Sequence, residues 1–213
     1  MRLGRSTVQF EDPPSIIEAS AIVGRKEGEG PLSGDFELVL DDDRFGEDSW
    51  EKAESKMQIE VVKKTLNKAG LVDEDIDYIL AGDLLNQCSA ANYAMRNFDI
   101  PFLGLYGACS TMAESMMVGS MLIGGMICDR AVCVTSSHFC SAEKQYRYPL
   151  DYGGQRSPTT QWTVTGSGAA LLSKGDGIAY IKSVTTGKVI DMGITDANNM
   201  GAAMAPVSVK LTP

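Results

Sequence analysis

The chain has 213 residues, of which 44% are hydrophobic and 22 are glycine, and its formal net charge is −9. That is enough apolar material for a packed core and rules out a disordered or fibrous chain. The acidic balance, with no basic block, argues against nucleic acid as a partner and against simple electrostatic attraction to an anionic membrane.

The opening segment, MRLGRSTVQFEDPP, has no apolar stretch of the kind a signal peptide needs. Residues 15–24, SIIEASAIVG, read as a strand. The acidic run DDDRFGEDSWEK follows. Numbered as a calcium loop from Asp41, it puts Phe45 at position 5 and Lys52 at position 12, where oxygen ligands are required. It is read as a solvated loop leading into a helix. That helix runs from about Ser49 to Ala69. Asp48 or Ser49 can cap it, and Gly70 stops it. Trp50, Ala53, Met57, Val61, Val62, Leu66 and Ala69 share one apolar face.

IDYILAG (76–82) reads as a buried strand, SAANYAMRNF (89–98) as a short helix and IPFLGLYG (100–107) as a second strand. A helix rich in small apolar residues begins near Ser110. Its uncharged run, Ser115 to Cys128, is 14 residues long. Crossing a bilayer takes about 20, so this run suits a buried helix. RAVCVTSS (130–137) is a third strand, and residues 143–162 form a long loop. Segments 162–172 and 178–186 flank the turn KGDG and are expected to pair as a hairpin. MGITDANNMGAAMAP (192–206) reads as a turn region. The alternation of helices and apolar strands predicts an α/β fold with a parallel sheet covered on both faces.

The five cysteines, 88, 109, 128, 133 and 140, include no CxxC pair, which suggests reduced thiols. Cys133, His138 and Cys140 do not match a zinc spacing, so no metal site is expected. Cys109 lies in LYGACSTMAESM, where a strand is expected to give way to a helix. The positive end of the helix dipole at such an elbow stabilises a thiolate or, equally, a bound carboxylate. The alternative is that Cys109 is a small buried hydrophobe. His138, just past a strand end, could donate to a ligand carboxylate or be structural. Arg147 and Arg156 could clamp carboxylates, and Tyr146, Tyr148, Tyr152 and Trp162 could stack on a flat ring. The same stretch could instead be a surface loop or a contact arm.

KAGLVDEDIDYILAG, GACSTM, RAVCVTSSH and TGSGAALL follow one another here in an order that resembles the thiolase-like superfamily, in particular the ketosynthase III type. The resemblance implies the first αβα half of a five-layer αβαβα fold, with a mostly parallel mixed sheet and a buried central helix. It places Cys109 at the acyl-accepting nucleophile. The superfamily's catalytic histidine and its partner belong to a second half, and the one histidine here, His138, matches neither. Residues 1–200 are therefore expected to form the first half-domain, and 201–213 a truncated connection to the second.

STVQFEDPPSIIEASAIVGRKEGEGPL, GLYGACSTMAESM, HFCSAEKQYRYPLDYGGQRSPTTQWTVTGSGAALL and DMGITDANNMGAAMAP resemble, more narrowly, the stage V sporulation protein AD family of endospore-forming bacteria. That resemblance implies a binder of dipicolinic acid, free or as its calcium chelate. It would work with other proteins of the SpoVA operon to move dipicolinate into the developing spore. It also implies a homodimer when full length, no cofactor, and a location in the cytoplasm or at the periphery of the forespore inner membrane. The ligand-binding residues would be Cys109, Ser110, His138, Arg147 and Arg156. Acyl transfer with Cys109 as nucleophile is the alternative.

Overall fold

The computed structural model describes residues 1–146, 162–195, 199 and 201–202. In chain order the strands and helices are β1 (Arg2–Leu3), β2 (Thr7–Gln9), β3 (Ser15–Val23), α1 (Arg25–Gly28), β4 (Leu38–Val39), α2 (Trp50–Ala69), β5 (Tyr78–Gly82), α3 (Ser89–Met95), β6 (Phe102–Gly104), α4 (Thr111–Gly124), β7 (Arg130–Ser137), α5 (Phe139–Tyr146), β8 (Gly166–Ser173), β9 (Ala179–Tyr180) and β10 (Ser183–Thr185).

Helix α2 forms where its caps predict. Ser49 Oγ accepts from the Lys52 N–H at 3.2 Å, and Gly70 ends the helix at φ 68°. The main sheet runs β4-β3-β8-β7-β5-β6, with β9 paired to β3. Pairs β3/β4, β5/β6 and β5/β7 are parallel, whereas β8 is antiparallel to both β3 and β7. The sheet is thus mixed, as the superfamily resemblance implies, and not wholly parallel. α2 and α3 pack Met57, Val61, Ala91 and Met95 on Ile79, Val132, Val134 and Leu171. On the other face, Ile123 of α4 meets Leu80, Cys133 and Leu172. Gly119 lets α4 approach: a Cβ there would lie 3.1 Å from Leu172 Cδ1 and 3.3 Å from Cys133 Sγ. The opposite side of α4, along Ala113, Met117, Met121 and Gly124, is half-buried or exposed.

Two expectations are corrected. The segments around KGDG do not form a hairpin. β8 inserts between β3 and β7, while β9 pairs with the start of β3 and β10 with β2. A turn sequence fixes only a local reversal, and the small and aliphatic residues of GSGAALLS are suited to a strand packed on both sides. The long-loop reading of 143–162 also gives way in part, because α5 carries helix through Tyr146. Among the described residues, no helix is long and apolar enough to cross a membrane.

Candidate functional site

The parallel strands β5, β6 and β7 end side by side, with Ala81 opposite Gly104 and Gly82 opposite Thr135. Ligands of open α/β sheets bind outside such carboxyl ends. After β6 the chain turns through Leu105–Ser110 into α4. Gly82 makes this turn possible: a Cβ on it would stand 2.1 Å from Leu105 O and 2.6 Å from Thr111 Cγ2. The elbow is tied by short bonds. Thr111 Oγ1 accepts from the Gly107 N–H at 3.2 Å and donates to Ala108 O at 2.8 Å, and Ser110 Oγ donates to Gly107 O at 2.8 Å. Ala108 is held at φ 48°, the left-handed region that costs a residue with a Cβ about 1 kcal/mol or more.

Cys109 stands at the tip of this elbow and is exposed. The other four cysteines are shielded, and burial pushes each thiol up, Cys133 to about 12. Cys133 Sγ lies under α4, while His138 faces the other way, so the CVTSSHFC stretch does not converge on one point.

His138 shares the sheet edge with Cys109 and Ser110, but its ring is turned inward. It is 0% exposed. Nδ1 accepts from the Cys140 N–H at 3.1 Å, which leaves Nε2 as the donor to Asp43 O at 2.8 Å. Both nitrogens are thus bonded to backbone, and the side chain serves as an N-cap of α5. Trp162 stacks on Phe139 at 4.7 Å, with Lys26 Nζ 3.8 Å from its ring centre. Arg147, Arg156, Tyr148 and Tyr152 lie outside the described residues.

Three acidic groups at this edge were not singled out by the sequence. Asp83 follows β5 and is 1% exposed. Its oxygens accept from Leu85 N–H at 2.8 Å and Ala91 N–H at 2.7 Å, and burial raises its carboxyl despite these bonds. Glu114, in the first turn of α4, has Oε2 buried beside Gly107 without a partner among the described residues. Glu54 of α2 is 0% exposed, with Ser136 and Ser141 donating to it. Glu54, Gln58 and Thr65 recur at helical spacing beside the apolar stripe, but polar residues there usually face water, so the spacing alone does not mark Glu54 as buried. A separate groove, lined in part by Phe10, Pro13, Met121, Gly124 and Tyr180, lies at the far end of α4 from Cys109.

Residues 4–212 match the family described as Stage V sporulation protein AD. The chain is also 46% identical over 205 residues to the Stage V sporulation protein AD of Bacillus subtilis (strain 168), covering 96% of this chain and 61% of that protein. It belongs to the stage V sporulation protein AD family. The chain therefore spans about three-fifths of the length of that relative. Among solved structures it is similar to the 3-oxoacyl-[acyl-carrier-protein] synthase III of Aquifex aeolicus VF5, with a TM-score of 0.54 and 13% identity over 76% of this chain and 54% of that one. A variant of OleA from Xanthomonas campestris gives a TM-score of 0.52 and 13% identity over 78% of this chain and 57% of that one. These likenesses show that this member of the stage V sporulation protein AD family has the thiolase-like fold.

Proposed function

We propose that the chain is the part of a sporulation protein that carries the floor of a dipicolinate site, and that the whole protein assists dipicolinate uptake into the developing spore. The observation that carries this reading is the family membership over residues 4–212. The exposed Cys109–Ser110 elbow at the start of the 14-residue α4 supports it. The positive end of the α4 dipole attracts a carboxylate, and the small residues Gly107 and Ala108 admit a flat ring. Arg147 and Arg156 would clamp the second carboxylate. His138 would act through α5, whose first turn it caps, and not by touching the ligand. Other SpoVA-operon proteins at the forespore membrane and a second copy of the full-length protein are the partners this reading calls on.

Titration calorimetry of the full-length protein with dipicolinate tests the reading. Saturable binding is expected, weakened about tenfold or more by Arg147→Ala and by Ser110→Ala; no heat from the unmutated protein would end it. The second reading is acyl transfer from an acyl thioester to Cys109. It is favoured by one observation: Cys109 is the exposed thiol, held on a strained elbow in the fold of ketosynthases. A mass increment on Cys109 after incubation with acyl-CoA would support it, and an unmodified thiol would exclude it.

A further inference from the structure

Glu54 is enclosed between α2, the end of β7 and α5. Ser136 Oγ donates to Oε1 at 2.9 Å, and Ser141 Oγ donates to Oε2 at 2.8 Å. One turn along α2, Gln58 Nε2 donates to Ser136 Oγ at 2.7 Å and to Gly82 O at 3.1 Å. The carboxyl thus bridges three elements through hydroxyls.

No described cation balances it. Lys144 of α5 is committed to Glu51 at 3.1 Å, Lys52 to Asp48 and Lys56 to Glu47. The charged groups that act on Glu54 are Asp83 from the end of β5 and Glu51 from α2, both acidic. His138, at the start of α5, has both ring nitrogens in backbone bonds. A buried charge held by two neutral hydroxyls is costly.

The neutral acid fits the same atoms without loss. Ser141 has one hydroxyl proton and two acceptors in reach, Glu54 Oε2 at 2.8 Å and His138 O at 3.1 Å. When Glu54 carries a proton on Oε2, that O–H donates to Ser141 Oγ, and Ser141 turns its own proton to His138 O. That carbonyl also accepts from the Ala142 N–H at 3.0 Å, so the added bond falls on the first turn of α5.

We propose that Glu54 is a proton-operated latch: neutral, it locks α5 onto α2 and the end of β7; ionised, it lets α5 open. Burial, reinforced by Asp83 and Glu51, pushes the carboxyl from 4.5 up to about 7 against the opposing Ser141 and Ser136 bonds. The switching range therefore lies at and below neutral pH. Opening of α5 hydrates Glu54 and returns it to an ordinary carboxyl, so opening releases a proton when the closed form holds one. The opening equilibrium should then rise about tenfold per pH unit between roughly pH 5 and 6.5 and flatten above about pH 7.

Hydrogen exchange resolved to residues 139–146, corrected for intrinsic rates and referenced to β5, tests this across about pH 5 to 8. The expected result is the rising, then flat, opening profile in the unmutated chain and a level profile in Glu54→Gln. A level profile in the unmutated chain, or an unchanged slope in Glu54→Gln, overturns the proposal. An infrared titration of the unmutated chain needs no variant to fold. The band of a protonated carboxylic acid should persist at about pH 6 and vanish by about pH 8; its absence at about pH 6 also overturns the latch.

Discussion

On one face of the sheet Leu80, Ile123, Cys133 and Leu172 meet under α4 with no charged group among them. On the other face, the same strands end in a polar knot of Glu54, Gln58, Ser136 and Ser141 beneath α2 and α5. The alternation of β7 makes the difference: Val132 and Val134 face α2, and Ser136 comes next on that face, while Ala131 and Cys133 face α4. The α4 side holds shape mainly by close packing, with the buried Ser115 hydroxyl turned onto its own helix at Met112 O. The α2 side holds the functional edge through hydrogen bonds whose strength depends on protons.

The comparison breaks most sharply on the apolar side. Leu80→Ala should lower unfolding stability by about 2–5 kcal/mol, by lost burial and a residual cavity, and by the same amount at every pH. Denaturant unfolding at acidic and neutral pH would check this, and a pH-dependent loss would contradict a dry, uncharged layer. On the polar side the effect should follow pH instead. Glu54 is raised from 4.5 to about 7 in the folded chain, so its stabilising contribution is full below about pH 4.5 and is lost as pH rises through about 7. The loss is on the order of 3 kcal/mol. Glu54→Gln should abolish that slope in melting curves taken across the window. Ser141→Ala removes one of the two hydroxyls on Glu54 and should lower stability by about 1–2 kcal/mol at neutral pH. Cys109→Ala, at an exposed tip between the two regimes, should change stability by less than about 0.5 kcal/mol. Alkylation in the folded state should label Cys109 well before Cys133.

The elements with strong local instructions could be read from the sequence: α2 from Ser49 and Gly70, β5 and β7 from their unbroken apolar runs. β8 was legible as a strand but its pairing was not, because its partners lie roughly 150 and 40 residues away and the KGDG turn spoke only for its neighbours. α5 was hidden because its cap is an imidazole, with the Thr165 hydroxyl accepting the Phe139 N–H at 3.0 Å, and not a Ser, Thr, Asp or Asn at the usual place. Within the candidate site, the elbow at Cys109 was legible from small residues between a strand and a helix. Glu54 and Gln58 were not, since polar residues beside an apolar stripe usually face water, and only the approach of Ser136 and Ser141 makes burial tolerable. The single histidine invited a ligand role; its commitment to Asp43 depends on a loop that lies 95 residues earlier.

The pairing of β3 with β8 also sets an order of events during synthesis. Val23 must wait for Gly166, and Ser15 for Ser173. At ribosomal speeds that interval is roughly ten to thirty seconds, during which β3 has no partner on the side β8 will occupy. An apolar strand left open that long is a target for chaperones and for wrong neighbours. The nascent chain is therefore most vulnerable in the interval before β8 emerges, well after α2 has formed.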